Sequence, residues 1–210
     1  INCAAYTDVR KAEVERKKAF DVNSSGVKNL VVYCEKTQTR LIHFSTDYVY
    51  NSLNKKPINE DELIDPQNYY GYSKREGEKH IENSKVESIV IRTSWLYSKY
   101  GNNFVNAIID KSKTGENLKV INDQFGCPTY AKDLALAVIQ ILESDNIIDK
   151  KAKIFNYSNT ESTNWFDFAK KILKLYGSKN KIEPVDSEYF KDEVKRPKFS
   201  ITSKQKIIDT

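Results

Sequence analysis

Apolar residues along this chain alternate between short continuous runs and stretches that recur every three or four positions. Arg40 to Ser45 is a run of branched and aromatic residues too short for a helix, so it reads as a buried strand whose carboxyl end delivers Ser45, Thr46 and Asp47. Ser88 to Arg92, Leu118 to Ile121 and Lys153 to Tyr157 have the same character. Helical spacing runs from Lys11 to about Cys34 with a break near Asn23 to Gly26, then over 70–81, Asn103 to Lys113 and Ala131 to Leu142. A last long helix opens at Ser162-Thr163 and aims Trp165, Phe166, Phe168, Ala169, Ile172 and Leu173 at a core. Ile1 to Tyr6 resembles the end of a strand, and beyond Ser178 the pattern allows only short elements.

Strand and helix in alternation predict an α/β fold: a doubly wound parallel sheet with helices on both faces. In such folds ligands bind outside the carboxyl ends of the strands, which puts Ser45, Thr46 and Asp47 in the expected place. A dinucleotide fold should also open on a glycine-rich phosphate turn. None of the 7 glycines forms that pattern, so the strands and turn that hold the cofactor phosphates are expected to lie outside these residues. We expect residues 1–122 to be the remainder of a dinucleotide-binding domain. Residues 123–210 are expected to form a small α/β substrate-binding part, with some segments returning to the main sheet.

Composition narrows the class. Hydrophobic residues make up 39% of the chain and charged residues 30%, with a net charge of +5 and mean hydropathy of −0.64, which is a globular chain with a well-solvated surface. The longest apolar runs fall short of a membrane span, and no basic leader precedes an apolar segment, so a cytoplasmic protein without membrane contact is expected. Cys3, Cys34 and Cys127 lack metal-ligand spacing and read as buried free thiols; no metal is expected. Basic residues are interleaved with acids rather than gathered in a stripe, which argues against nucleic acid and for a small phosphate-bearing substrate. Lys195, Arg196 and Lys198 form the densest basic stretch; by spacing alone it reads as a solvated tail before it reads as a diphosphate contact.

Tyr70 and Lys74 carry the most specific chemistry. They lie four apart at the start of a helix, hence on one face, and no other Tyr in the chain has a Lys four residues on. A free phenol has a pKa of about 10, and an ammonium beside it favours the phenolate. With Thr46 holding a substrate oxygen, Tyr70 could pass a proton while a hydride reaches the adjacent carbon.

Six segments follow one another along the chain: Asn2-Cys3-Ala4-Ala5-Tyr6-Thr7, Ser45-Thr46-Asp47-Tyr48-Val49-Tyr50, Tyr70-Gly71-Tyr72-Ser73-Lys74, Arg92-Thr93-Ser94-Trp95, Asp123-Gln124-Phe125-Gly126 and Arg196-Pro197-Lys198-Phe199-Ser200. In that order and spacing they resemble the dTDP-4-dehydrorhamnose reductases, which are extended short-chain dehydrogenases/reductases of Rossmann type. The resemblance covers nearly the whole chain. It implies reduction of the 4-keto group of dTDP-4-dehydro-6-deoxy-L-mannose to dTDP-L-rhamnose by NADPH, with NADH as an alternative donor. It implies Thr46, Tyr70 and Lys74 as the catalytic group; Ala4, Ala5, Tyr6, Thr7 and Ser45, with Tyr70 and Lys74, against the cofactor; and Val9, Thr46, Asp47, Trp95, Asn103 and Arg196 against the nucleotide sugar. A homodimer is compatible with it.

The chain departs from the family's usual pattern at Cys3, where a small residue is common, at Arg10, where an acid is common, and at Asn51-Ser52, where Asp-Gly is common. Two alternatives keep the fold: a reductase, epimerase or dehydratase of another nucleotide sugar, or a non-catalytic regulatory subunit. Arg92-Thr93-Ser94-Trp95 argues against the first, and the intact Thr46, Tyr70 and Lys74 set against the second.

Overall fold

A computed structural model describes residues 1–51, 55–144 and 152–210. Ser52, one of the departures noted above, lies outside the described residues. Three parallel strands form the main sheet: β1 (Leu41–Thr46), β2 (Ser88–Thr93) and β4 (Lys153–Tyr157), in the order β1-β2-β4. Asn2 adds a parallel bridge on the free side of β1, with its N–H donating to the Ile42 carbonyl at 2.7 Å, as expected for a strand ending there.

Alternation along the strands sorts side chains to the two faces. Ile42, Ile89, Ile91 and Phe155 pack on Leu134, Val138 and Ile141 of helix α5 (Ala131–Glu143). On the opposite face Leu41 and Val90 meet Val27, Val31 and Cys34 of α2 (Gly26–Thr37) and Ile81 of α3 (Tyr69–Glu82). Each of these fully buried aliphatic side chains contributes about 1.5–3 kcal/mol, so the sheet and its two helical layers hold the carboxyl ends of β1 and β2 in place. The stretch read as one interrupted helix is α1 (Val9–Val14), a turn of helix over Arg16–Phe20, a π-helical turn over Asp21–Ser25, and α2. The interruption at Asn23 is therefore a change of winding rather than a loop.

One strand departs from the expectation. β3 (Leu118–Ile121) does not join the main sheet; it pairs in parallel with β5 (Ile182–Val185). Leu118 and Val120 pack with Ile108 of α4 (Phe104–Ser112) and with Ala169, Ile172 and Leu173 of α6 (Trp165–Tyr176), which makes a separate small α/β core. Strand periodicity gives an element's type but not its partner, and that is why the sequence placed β3 in the wrong sheet. Among the described residues no helix is long and apolar enough to cross a membrane, and no group of three or more His, Cys, Asp or Glu residues could hold a metal ion. Cys34 and Cys127 are buried free thiols; Cys3 is free but exposed, because its loop has already left the sheet.

Candidate active site

β1 ends in extended backbone at Thr46, and the chain turns at once into a single helical turn, Asp47–Val49. The Thr46 hydroxyl caps that turn by accepting the Tyr48 N–H at 3.2 Å, and it donates to Asp47 Oδ1 at 3.1 Å. Thr46 and Asp47 are both buried. Burial pushes the Asp47 carboxyl up to about 6 against the pull of the Ser200 and Thr46 hydroxyls. Ser200 directs its hydroxyl at the Phe125 carbonyl, 3.4 Å away, and Asp47 Oδ2 has no hydrogen-bond partner among the described residues. A carboxyl whose folded pKa lies above the unfolded value of 3.8 favours folding below about pH 4, and that contribution is lost as pH rises through 6. Asp47→Asn keeps the Thr46 contact and removes the ionisation. Urea unfolding from pH 4 to 7 is therefore expected to give the variant a flatter stability profile, gaining on the parent by up to about 3 kcal/mol. An unchanged pH slope would remove Asp47 as its source.

Helix α3 is set against this strand end from three sides. Asn68 caps it, accepting the Gly71 N–H at 2.9 Å while its Nδ2 donates to the Lys195 carbonyl at 2.9 Å. Glu13 of α1 accepts the Tyr69 N–H at 2.7 Å. Gly71 lets the helix touch the strand end, since a Cβ there would collide with the Tyr48 carbonyl. Asn23, in the π turn, holds the Tyr6 backbone from both sides (2.8 and 3.0 Å) and donates to the Ser73 hydroxyl at 2.9 Å. The Ala4 to Thr7 loop is thereby fixed to the helix that carries Tyr70 and Lys74.

Tyr70 lies edge-on to Tyr48, with ring centroids 5.7 Å apart and planes at 82°. Burial pushes its phenol up to about 12; a hydrogen bond with Thr46 opposes this and the Asp47 charge adds to it. The lowering expected from Lys74 is not seen. Lys74 is 2% exposed, and its Nζ donates to the Phe44 carbonyl at 2.6 Å and sits 3.3 Å from His43 Nε2. Burial pulls the ammonium down to about 8, with Glu78 pulling the other way. Beneath them Glu78 and Arg92, both buried, pair through two bonds of 2.9 and 2.7 Å, and Arg92 also reaches the Tyr50 hydroxyl at 2.7 Å.

Next to this group opens a cavity of about 970 Å³. Tyr48, Arg10 and Arg196 line one part of it, Phe104, Trp165 and Val120 another, and Lys111, Lys119, Lys191, Lys195 and Lys198 give it a basic rim. The stretch that spacing alone assigned to a solvated tail therefore borders the cavity. Asp192 accepts from Arg10 and is ion-paired with Arg196, each at 3.0 Å, so the position where the chain departs from an acid helps to anchor this loop. Of the residues expected against the sugar, Arg196 lines the cavity and Val9, Thr46, Asp47, Trp95 and Asn103 do not. Trp95, at φ 47, stacks on Trp165 with centroids 3.4 Å apart and braces it from behind. Asn103 caps α4, accepting from Asn106 N–H and donating to the Ser98 carbonyl. Val9 begins α1 and is half-buried. Sequence reading missed Trp165 as a wall residue because its helical spacing matched a core position; Arg10 stood out only as a departure and Asn23 only as a break, and Asp192 carried no signal in a single sequence.

The whole chain, residues 1–210, matches the model of a family described as "RmlD substrate binding domain". The chain belongs to that family. It is 36% identical over 207 residues to a spore coat polysaccharide biosynthesis protein of Bacillus subtilis, covering 99% of this chain and 71% of that protein. A dTDP-4-dehydrorhamnose reductase of Sinorhizobium fredii is 35% identical over 204 residues, 94% of this chain and 69% of the relative. The crystal structure of a Bacillus anthracis dTDP-4-dehydrorhamnose reductase in complex with NADP superposes with a TM-score of 0.89 at 38% identity, covering 96% of this chain and 70% of that one. The family match and the superposition agree with the doubly wound α/β fold expected from the alternation of strands and helices, and with the Rossmann type that the resemblance implied.

Proposed function

We propose that this chain carries the reacting end and the nucleotide-sugar site of an NADPH-dependent dTDP-4-dehydrorhamnose reductase. The observation that carries the reading is the meeting of Thr46, Tyr70 and Lys74 at the carboxyl end of β1, beside a basic, aromatic-walled cavity. The residues fit the nicotinamide end of the cofactor: Ala4 and Ala5 offer no bulk beside the strand end, and Ser45 Oγ and Thr93 Oγ1 are buried with no hydrogen-bond partner among the described residues. NADPH, when bound, supplies the hydride. Ala4, Ala5, Tyr6, Thr7 and Ser45 would line that end, and Lys74 would hold the ribose.

Thr46 orients the substrate oxygen, and Tyr70 protonates it as the carbonyl carbon is reduced. A phenol held near 12 is fully protonated at neutral pH, which suits a proton donor. Asp47 and Val9 flank the sugar, and Arg196 with the lysine rim neutralises the diphosphate. Trp95, through Trp165, shapes the apolar wall, and Asn103 holds the start of the helix that carries Phe104. Residues 1–122 supply most of the reacting end and 123–210 most of the grip on the nucleotide. The enzyme acts in the cytoplasm, where NADPH and nucleotide sugars are made.

The test is incubation of the full-length protein with dTDP-4-dehydro-6-deoxy-L-mannose and NADPH. Stoichiometric oxidation of cofactor to give dTDP-L-rhamnose supports the reading; a different epimer, or no turnover, removes it. Lys74→Ala is expected to lower turnover and weaken NADPH binding together, since one ammonium serves both the proton shuttle and the ribose. Cofactor titration alongside steady-state kinetics checks this, and an unchanged dissociation constant would separate Lys74 from the cofactor.

A further inference from the structure

A polar chain that ends on Lys74 begins in the loop expected beneath the nicotinamide. The Ala4 N–H donates to Asn2 Oδ1 at 3.0 Å, which decides the other end of that amide: Nδ2, a pure donor, lies 2.9 Å from His43 Nδ1. Nδ1 must then present a lone pair. His43 is fully buried, and burial together with the Lys74 charge holds it well below its ordinary value, so the ring is neutral. A neutral imidazole with a bare Nδ1 carries its proton on Nε2, and Nε2 is the atom 3.3 Å from Lys74 Nζ. An N–H aimed at an ammonium sets donor against donor; aimed at an amine it makes a hydrogen bond. The ring therefore opposes the charged form of Lys74. Around the same nitrogen, β1 contributes the Phe44 carbonyl, and α3 contributes the Glu78 charge. Arg92 and Arg75 share the Glu78 charge.

We propose that His43 is a positioning residue for Lys74: held as the Nε2–H tautomer by Asn2, it makes the ammonium a ready proton donor that restores Tyr70 after each turnover. The inference rests on the reading of Tyr70 and Lys74 as the proton shuttle. The Tyr70 O–H bond breaks as the product O–H forms, with the hydride and its electron pair coming from NADPH. The phenolate takes a proton from Lys74, and the amine left behind accepts from His43 until it regains a proton from water. Each turnover oxidises one cofactor and consumes one solvent proton.

The test uses the full-length protein labelled with ¹⁵N-histidine and ¹³C-lysine, without substrate. The nitrogen shifts of His43 are expected to report a bare Nδ1 and a protonated Nε2 that do not titrate between about pH 6 and 9. The Lys74 carbon is expected to titrate below the surface lysines, and in His43→Leu its midpoint should move up by about one pH unit, with the pH profile of kcat following. A role in packing alone leaves that midpoint unchanged or lowers it, because leucine is the more apolar neighbour. An Nδ1–H tautomer in the parent protein overturns the proposal, and so does a Lys74 midpoint that fails to rise in the variant. If His43→Leu does not fold, the tautomer in the parent decides. Since both readouts need no turnover, a protein without reductase activity would overturn the reaction and leave this test standing.

Discussion

Replacing Tyr70 with Phe is expected to lower turnover by on the order of a hundredfold or more while leaving NADPH affinity within about twofold of the parent. The substitution removes only the hydroxyl. The ring keeps its edge-on contact with Tyr48, and the elements that hold α3 (the Asn68 cap, Glu13 on the Tyr69 amide, the close approach at Gly71) do not involve the phenol. A loss confined to kcat identifies a group that acts in the transition state rather than one that binds the ground state. Rates near those of the parent at every pH tested would take the proton-donor role away from Tyr70.

The second large effect is on stability. Arg92→Met leaves the carboxylate of Glu78 buried with half of its partners gone, and removing one member of a buried ion pair costs about 3–5 kcal/mol. Arg75, which reaches Glu78 at 2.9 Å, remains and puts the expected loss at the lower end. The guanidinium also holds the Tyr50 hydroxyl, so the far side of the network loosens as well. Arg92 and the other partners hold the Glu78 carboxyl below its ordinary value despite burial, so its contribution is present above the unfolded pKa and is lost as pH falls through the folded one. Denaturant unfolding at pH 7 and in acid should therefore show the penalty of Arg92→Met shrinking as Glu78 protonates. Unfolding with no change at pH 7 would mean that the pair is not closed in solution. Glu78→Gln with Arg92→Met should recover part of the loss, since no charge is then left without a partner.

The strongly periodic elements were legible. The sheet strands lie where continuous apolar runs predicted them, and α3, α4 and α5 begin and end within a residue or so of the expected positions. Local chemistry made this so: Asn68, Asn103 and Asn164 each cap the helix they precede. The Tyr70, Lys74 and Thr46 set was legible because a fixed spacing on one helix faces a strand end. Long-range choices were not. β3 carries an ordinary strand pattern, and only packing against Ile108 and Ile172 selects its partner. The π turn at Asn23 looked like a break, since its winding depends on the bonds that Asn23 makes to Tyr6 and Ser73. Arg10 and Asp192 lie 182 positions apart, and a single sequence has no term that joins them. The lowered phenol pKa expected from the Tyr-Lys spacing failed for a related reason: spacing reports a neighbour, whereas burial depends on everything around it.

The two-ended contact of Asn68 sets a limit on how the loop over 191–198 can be altered. One amide side chain ends the first turn of α3 and also grips the carbonyl of Lys195, the residue before Arg196. Fraying at the helix start and excursions of the loop are consequently one event, and a ligand that steadies Arg196 should slow hydrogen exchange at the Gly71 amide, which it never touches. Grafting the 191–198 loop of a relative to change sugar preference would therefore retain the reaction only if the transplanted backbone returns a carbonyl to the position of Lys195; otherwise a swap meant to alter selectivity would instead loosen the turn that presents Tyr70.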